Sequence, residues 1–397
     1  MHSLDRLFAR QPPLSDLGWT PGLAAEFAPH ATLGCVLGRI ARVDRGLCDV
    51  LITDPEPEQF INEIDAVSQA SALAGPGHEG EPAAEDRFSC TIRADWNAIK
   101  SDAIRERDPL RNPCTGDWAV IDLAADPVPV VKVLLPRRTA VIRGGVGERS
   151  DGQVLAANVD HVLITVSLAA KPDVGRIERL LALAWESGAH PVVVLTKADV
   201  AYDPQRIVDV ELAAPGATVL AVSALTGEGM DVLTAVLVGG SSALIGQSGV
   251  GKSTLTNALV GTEVMATGDT RDVDEKGRHT TTTRELIPLP GGGVLIDTPG
   301  LRSVGLFGGE SGLAQAFSDI EELAENCRFG DCGHRAEPGC AVLAALADGT
   351  LPERRLESYR KLLRENERIA ARTDARLASE RQRVWKQRSR AARAPRP

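Results

Sequence analysis

The segment from Gly246 to Ser253 has the residue types and spacing that hold the phosphates of a nucleotide. It reads Gly-Gln-Ser-Gly-Val-Gly-Lys-Ser, which fits G-x-x-x-x-G-K-[ST], between an apolar stretch and a helix-forming one. The glycines allow backbone N–H groups to surround the β-phosphate, Lys252 can reach the β and γ oxygens, and Ser253 can ligate Mg²⁺. We predict phosphate contacts by Gly246, Gln247, Ser248, Gly249, Val250, Gly251, Lys252, Ser253 and Thr254.

A second motif at the end of an apolar strand, Asp297-Thr-Pro-Gly300, follows this phosphate loop. We expect Asp297 to hold Mg²⁺ through water and the Gly300 N–H to meet the γ-phosphate. Between the two motifs lies a polar segment, Gly277-Arg-His-Thr-Thr-Thr-Thr283. One of its threonines is expected to complete the Mg²⁺ shell. The sequence leaves open which one, and we select Thr282.

The residue after the second motif is Leu301, whose side chain cannot polarise an attacking water. The catalytic group must therefore come from elsewhere in the chain. His279 is the candidate, because an imidazole can accept a proton or position the nucleophile. We expect slow intrinsic hydrolysis that needs a partner to order these loops.

The segment Thr196-Lys-Ala-Asp199 follows the apolar run from Pro191 to Leu195, at the kind of strand end where open α/β sheets bind ligands. The Asp199 carboxylate can accept both the N1–H and the N2 amino group of guanine, and adenine offers no such donor pair, so we predict selection of GTP over ATP. The usual motif has asparagine where this chain has Thr196. The backbone N–H of Ala224 would approach guanine O6. The predicted base-binding residues are Thr196, Lys197, Ala198, Asp199, Ser223 and Ala224.

The order of these motifs is unusual. In ordinary GTPases the phosphate loop comes first, whereas here the base-binding residues at 196–199 and 223–224 precede the phosphate loop at 246–253. A circular permutation of one nucleotide-binding domain explains this order. It also joins the segment after Asp297 directly to the C-terminal part of the chain.

The pattern Cys327-x4-Cys332-x-His334-x5-Cys340 supplies three thiolates and one imidazole. Four soft or borderline ligands suit tetrahedral Zn²⁺, and a complete protein shell leaves no position for a substrate. We therefore predict one structural zinc ion. Free buried cysteines are the alternative interpretation.

The spacing of apolar residues changes along the chain and divides it into several units. Short alternating runs broken by turn residues predict a small antiparallel barrel of the OB type with about five strands. Buried strands alternating with helices then predict a mostly parallel α/β sheet, and apolar residues at helical spacing from Glu353 onward predict a helical end. The predicted units are an N-terminal extension (1–33), the barrel (34–142) with an acidic insertion (54–86), a permuted GTPase domain (150–310), a zinc-containing helical domain (311–375) and a basic tail (376–397).

Charge is segregated along the chain, whose formal net charge is −10. Residues 54–86 hold nine acidic side chains and no Lys or Arg, whereas residues 381–397 hold seven basic side chains and no acid. The net charge therefore does not exclude a nucleic-acid partner. A disordered, solvated end is the alternative for the tail. The chain start lacks the apolar core of a signal peptide and no run of roughly 18 apolar residues occurs, so we expect a cytoplasmic protein.

The ordered motifs resemble those of the circularly permuted, RsgA-like GTPases that act in small ribosomal subunit biogenesis in bacteria. The resemblance extends from about residue 34 to 370 and is carried by the segments that begin at Thr196, Gly246, His279 and Asp297, together with the Cys/His cluster. It implies an OB barrel, a permuted P-loop GTPase domain and a zinc-containing helical domain. The acidic insertion and Thr196 depart from the family pattern.

The resemblance implies a GTP hydrolase of late 30S maturation, stimulated by the subunit, with Mg²⁺ bound alongside GTP and a single structural Zn²⁺. We expect hydrolysis to drive release, 16S rRNA contact through Arg137, Arg138, Arg143 and the tail, and a monomer without membrane association. Three alternatives stay open at this point. They are a GTPase acting on tRNA or another RNA, a zinc-stabilised RNA-binding module that only senses GTP, and an ATPase.

Overall fold

The computed structural model describes residues 14–31, 34–44, 46–53, 89–95, 109–125, 128–144, 152–265, 284–298, 305 and 308–373. The predicted acidic insertion 54–86 and the basic tail 376–397 lie outside the described residues. So do His279, Thr282 and Gly300, together with Leu301. Within the described ranges, none of the helices combines the length and the apolar character needed to cross a membrane.

The first unit is a closed five-stranded barrel with strand order β1-β2-β3-β5-β4. The pairs β1–β2, β2–β3, β1–β4 and β4–β5 are antiparallel, and β3 meets β5 in parallel at Asp95 and Val130. Gly38 lies inside the barrel, where a Cβ would come 2.3 Å from Val50 Cγ1, so only glycine fits. The barrel strands are β1 Cys35–Val43, β2 Leu47–Thr53, β3 Ser89–Asp95, β4 Trp118–Asp122 and β5 Val130–Leu134.

A two-stranded sheet links the barrel to the next unit, formed by β6 (Ala140–Arg143) and β7 (Gln153–Ala157). The sequence predicts residues 140–142 as part of the barrel domain, whereas in the structure they pair with β7 outside the barrel. The reason lies in the backbone hydrogen bonds on either side. Leu135 N makes the last bond to the barrel, at Trp118 O, and Ala140 N already donates to Ser187 O on the α/β unit.

The central unit is a six-stranded sheet in the order β10-β9-β8-β11-β13-β12. All neighbours are parallel except β12, which is antiparallel to β13. The predicted alternation of strands and helices is present. Its strands are β8 His161–Ser167, β9 His190–Thr196, β10 Thr218–Ala221, β11 Ser241–Gly246, β12 Glu285–Pro288 and β13 Val294–Asp297. Its helices are α2 Val174–Glu186, α3 Pro204–Ala213, α4 Met230–Leu237 and α5 Lys252–Val260.

Before the barrel, a short helix α1 (Pro21–Phe27) begins at Thr20, whose Oγ1 accepts a hydrogen bond from Leu23 N. Leu23 and Phe27 are buried in the core that also includes Trp118 of the barrel and Ile164 of the sheet. The N-terminal extension therefore contributes to the shared core through residues 14–31. Three short 3-10 helices complete the described N-terminal half, at Leu14–Leu17, Ala28–His30 and Pro109–Arg111.

The C-terminal unit is helical, with α6 Glu310–Ala316, α7 Ser318–Ala324, α8 Ala341–Asp348 and α9 Glu353–Thr373. The predicted helix from Glu353 is confirmed, and its apolar face buries Leu356, Tyr359 and Leu362. Helix α6 packs against α2, where Gly312 N donates to Glu186 Oε2 at 2.8 Å. A Cβ on Gly312 would lie 2.3 Å from Ala182 O, so this helix pair requires glycine there.

Candidate functional site

The predicted nucleotide-binding motifs meet at one edge of the sheet. Strands β9, β10, β11 and β13 are parallel, and each ends where a motif begins. Because the carboxyl ends of parallel strands share an edge, residues far apart in the chain become neighbours there. The permuted motif order is thus compatible with a single site.

The predicted phosphate loop joins β11 to helix α5, which begins at Lys252. Gly246 packs so closely on β8 that a Cβ would lie 2.2 Å from Thr165 Oγ1. Gly249 and Gly251 have φ values of +81° and +97°, a backbone conformation that glycine adopts without strain. The loop therefore leads directly into the N-terminus of a helix, where anions bind favourably.

Lys252 folds back over this loop. Its Nζ donates hydrogen bonds to Gln247 O at 2.8 Å and to Gly246 O at 3.2 Å. Burial lowers the pKa of Lys252, and the charge of nearby Asp297 partly offsets that effect. The ammonium group is held by carbonyls that a phosphate can replace as its partner.

Asp297, at the end of β13, is 2% exposed. Its Oδ1 has no hydrogen-bond partner among the described residues. Burial raises the pKa of Asp297 to about 6, although Lys252 favours the ionised form. A buried carboxylate oxygen without a donor is a suitable ligand for a cation or its bound water. Of the other predicted Mg²⁺ residues, Ser253 is half-buried in the first turn of α5.

Thr196 connects the predicted base motif to the phosphate loop. It is 5% exposed, and its Oγ1 lies 2.5 Å from Val250 O and 3.3 Å from Val166 O. The next residue, Lys197, has φ of +61°, and its Nζ donates to Gly249 O at 3.1 Å. The hydroxyl at position 196 thus reaches the loop backbone, although it is shorter than the asparagine amide of the usual motif.

Asp199 lies on the exposed rim beside the end of β10. Its Oδ1 accepts a hydrogen bond from Ser223 Oγ at 2.6 Å, and the same hydroxyl accepts from Thr226 N at 3.2 Å. Ala198 is buried beneath it and Ala224 is half-buried next to Ser223. This bond fixes the carboxylate while leaving its other oxygen available to a ligand.

The predicted zinc ligands come together in the C-terminal unit. The ligand atoms of Cys327, Cys332, His334 and Cys340 all lie within 4.8 Å of one another. The Nδ1 of His334 is 3.4 Å from Cys340 Sγ and 3.6 Å from Cys327 Sγ. His334 has φ of +53°, which turns its imidazole towards the thiols. Cys340 also caps helix α8, since its Sγ accepts from Leu343 N. The four donors fit a tetrahedral metal ion.

One of the arginines predicted to contact rRNA is held within the protein. Arg137 forms a buried ion pair with Asp117, with Nε 2.6 Å from Oδ1, and its other nitrogens donate to Leu110 O and Asn112 O. Its side chain therefore stabilises the barrel and is 17% exposed. Arg138 is about half exposed and pairs with Asp160 at 3.3 Å, and Arg143 donates to Gln153.

The residues that join the units belong to none of the predicted sequence motifs. Arg355 of α9 is buried, where it bonds Glu178 Oε1 at 2.9 Å and Asp319 Oδ1 at 2.7 Å and lies 4.4 Å from the Phe317 ring. Arg39 of β1 is fully buried at the opposite joint. The sequence does mark Arg39 as unusual, because it shares one face of the strand with the apolar residues Leu37 and Ala41.

Comparison with known proteins adds independent evidence. The family model described as RsgA GTPase matches residues 134–307. A protein named small ribosomal subunit biogenesis GTPase RsgA from Streptomyces avermitilis is 54% identical over 94% of this chain and 91% of its own length. Its namesake from Streptomyces coelicolor is 52% identical, over 94% of this chain and 92% of its own.

Solved structures show the same fold. YjeQ from Thermotoga maritima superposes with a TM-score of 0.54 at 22% identity, covering 84% of this chain and 98% of that one. YloQ, described as a circularly permuted GTPase, gives a TM-score of 0.54 at 21% identity, with 84% and 95% covered. The motif order, the shared sheet edge and the identity to these relatives agree, and the chain belongs to the RsgA family of small ribosomal subunit biogenesis GTPases.

Proposed function

We propose that this protein hydrolyses GTP in late maturation of the 30S ribosomal subunit, and that the subunit stimulates hydrolysis, which is coupled to release. The observation that carries the proposal is the bond from Thr196 to Val250 O, because it unites the base motif and the phosphate loop although the chain order separates them. The printed function of the Streptomyces relatives supports the choice of the small subunit as partner.

We propose that GTP occupies the edge formed by β9, β10, β11 and β13. The loop from Gly246 to Thr254 surrounds the phosphates, with Lys252 exchanging its carbonyl partners for phosphate oxygens. Asp199 accepts the two guanine donors, with Ala224 N–H directed at O6. Thr196, Lys197, Ala198 and Ser223 hold these groups in place.

Mg²⁺ fits this edge because the buried Asp297 has an oxygen without a donor among the described residues. Ser253 and Thr282 would ligate the ion directly, and Asp297 would hold it through water. The ion would neutralise charge between the β- and γ-phosphates. Gly300 N–H would contact the γ-phosphate, and His279 would orient the attacking water and accept its proton. We propose that the small subunit stimulates hydrolysis by acting on the segment that contains His279 and Thr282.

Zinc fits the Cys327, Cys332, His334 and Cys340 cluster, because the donor set is three sulfurs and one imidazole nitrogen at mutual distances within 4.8 Å. We propose one structural Zn²⁺ there. The ion would supply four bonds to a loop that has few apolar residues of its own. Those bonds stabilise the segment between α7 and α8.

We propose that the barrel is an OB fold that contacts 16S rRNA. The closed order β1-β2-β3-β5-β4, with β1 paired to β4, supports the assignment. We propose that Arg137, Arg138, Arg143 and the tail from Arg381 to Arg396 supply positive charge for RNA, so binding should weaken with salt. We further propose a cytoplasmic monomer.

The discriminating experiment measures phosphate release from GTP alone, with purified 30S subunits and with tRNA. The proposal expects stimulation by 30S only. Stimulation by tRNA instead would favour action on another RNA, and no release even with saturating 30S would favour a nucleotide sensor. Equal affinity for ATP and GTP would contradict the role of Asp199.

A further inference from the structure

Arg39 in barrel strand β1 is fully buried where the barrel meets the central sheet. Its Nη1 donates to Ser241 Oγ at 2.9 Å and its Nη2 donates to Asn158 O at 3.1 Å. The guanidinium carbon lies 5.2 Å from the centroid of the Trp118 ring. The cation therefore contacts an aromatic ring of the barrel as well as its acceptors at the sheet. One side chain thus links two units of the protein.

The acceptor Ser241 is the first residue of β11, and the other end of that strand is Gly246 of the phosphate loop. Ser241 also pairs with Val294, the first residue of β13, which ends at Asp297. At about 3.3 Å per residue, the contact lies roughly 17 Å from the loop. Arg39 therefore bonds the first residue of β11, and that residue is paired with the first residue of β13.

A second contact at the same joint comes from the turn before β4. Gly116 has φ of +94°, and a Cβ there would lie 2.2 Å from Ala157 O and 2.8 Å from Ile296 Cδ1. Asn158 Nδ2 donates to Gly116 O at 3.1 Å. Since Ile296 directly precedes Asp297, the barrel touches β13 one residue before the predicted Mg²⁺ ligand.

The two buried arginines at the joints, Arg39 and Arg355, have pKa values shifted in opposite directions. Burial lowers the pKa of Arg39 to about 9, and Asp160 only partly offsets this. Its acceptors are a hydroxyl and a carbonyl, and its Nε has no partner among the described residues. At the C-terminal joint, burial is outweighed by hydrogen bonds to Asp319 and Glu178, which raise the pKa of Arg355.

A buried cation with neutral acceptors contributes little to the stability of the joint, because its burial carries a desolvation penalty. An apolar side chain of similar size avoids that penalty. Stability alone therefore does not explain Arg39. Its directional bonds do fix one docking orientation of the barrel on β11.

We infer that Arg39 is a positioning residue that couples partner binding at the barrel to hydrolysis at the phosphate loop. The inference rests on the proposed function, since it takes the 30S subunit as the stimulating partner. Packed strands move as rigid elements, so a change in barrel docking shifts the ends of β11 and β13 together. Arg39 itself is fully buried and lies outside the proposed nucleotide site.

The test compares the wild type with Arg39→Met, Arg39→Lys and Ser241→Ala. Arg93→Met is the matched control, because Arg93 is a barrel arginine on β3 that is about half exposed and pairs with Asp49 at 2.9 Å. Each variant is assayed for GTP turnover alone, for turnover with saturating 30S subunits and for 30S binding by co-sedimentation. The radius of gyration of the free protein is measured by X-ray scattering.

We expect Arg39→Met to keep intrinsic turnover and 30S affinity within about twofold, and to lose stimulation by about tenfold, the scale of coupling carried by such contacts. Arg39→Lys should recover part of the stimulation, Ser241→Ala should lose part of it, and the control should match the wild type. Full stimulation of Arg39→Met would overturn the inference. If Arg39→Met does not fold, Ser241→Ala decides, since it removes one buried oxygen only.

The two proposals fail in different ways. If the GTP turnover of the wild type is not stimulated by 30S, the proposed function is contradicted. The radius of gyration of the free protein then still tests whether Arg39 docks the barrel on the sheet. A larger radius of gyration for Arg39→Met than for the control supports Arg39 as the docking residue. Equal radii would overturn that role.

Discussion

Thr196 Oγ1 donates a hydrogen bond to the carbonyl of Val250 at 2.5 Å, across 54 positions of sequence. The bond joins the end of β9 to the phosphate loop at the end of β11. It substitutes a hydroxyl for the amide of the usual base motif. The bond therefore holds the predicted base motif against the predicted phosphate loop.

Replacing Thr196 by valine keeps the shape of the side chain and removes this donor. Because a buried bond to a carbonyl is lost, we expect GDP affinity to fall by about five- to tenfold. Titration with a fluorescent guanine nucleotide measures the change. Thr196→Ser retains the hydroxyl and is the control, and equal affinity of the valine variant would contradict the structural role of the bond.

Replacing Asp199 by alanine should remove guanine selectivity. The carboxylate, held by Ser223 Oγ at 2.6 Å, is the predicted acceptor for both guanine donors. We expect GTP affinity to fall by at least about tenfold, as for loss of hydrogen bonds to a charged group, with weak ATP binding little changed. Competition binding with both nucleotides gives the ratio of the GTP affinity to the ATP affinity. Glu211→Ala on the neighbouring helix α3 is the control, and a preserved GTP preference in Asp199→Ala would disprove the assignment.

The fold and the motif edge could be predicted from sequence because both depend on local patterns. Buried strands such as His161–Ser167 show continuous apolar runs, and motif residues follow the strand ends directly. The bonding partners at the joints could not be predicted in the same way, although the apolar neighbours of Arg39 on its strand face mark that residue as unusual. Arg137 and Arg39 have the same residue type as solvent-exposed arginines, and only the tertiary structure shows that Arg137 pairs with the buried Asp117. The pairing of β6 with β7 likewise depends on donors and acceptors in another unit.

Loss of one zinc ligand should empty the metal site. We expect Cys332→Ser to hold much less zinc than the wild type, because three ligands bind zinc far more weakly than four. Metal content is measured by mass spectrometry after gel filtration. Cys35→Ser, on barrel strand β1, is the control. Unchanged zinc in Cys332→Ser would exclude this residue as a ligand.

Asp297 should make the stability of the free protein depend on pH, when neither nucleotide nor magnesium is present. Its pKa is raised to about 6 in the folded state from an ordinary value of 3.8, so folding favours the protonated form. The stabilising contribution is complete below pH 3.8 and is lost as pH rises through 6. Asp297→Asn should therefore exceed the wild type in unfolding free energy by about 2 to 3 kcal/mol at neutral pH.

Urea denaturation at pH 7.5 and pH 5 tests this dependence on Asp297. The advantage of the asparagine variant should shrink at the lower pH. Asp231→Asn, at the start of helix α4, is the control for loss of one exposed charge. An advantage that stays constant with pH would show that the carboxylate is not perturbed by burial.

Removing Arg355 should destabilise the C-terminal joint. Its guanidinium is shared by Glu178 Oε1, Asp319 and the carbonyls of Ala213 and Ala316. Because Glu178 is fully buried, its charge would lose a buried partner, and we expect Arg355→Ala to cost about 3 to 5 kcal/mol in unfolding free energy. Denaturant unfolding measures this loss of unfolding free energy. Arg364→Ala, which removes an exposed arginine from the same helix, is the control. A loss under about 1 kcal/mol, typical of surface ion pairs, would contradict the structural account.

We propose that the reordered motifs form one GTP site whose turnover responds to the small ribosomal subunit. Steady-state phosphate release from GTP with and without purified 30S subunits tests it most directly, with Lys252→Ala as the site-dead reference. We predict slow release by the wild type alone, strong stimulation by 30S, and no release by Lys252→Ala, whose zinc content stays that of the wild type. Turnover that persists in Lys252→Ala, or that 30S subunits leave unchanged in the wild type, would contradict the account.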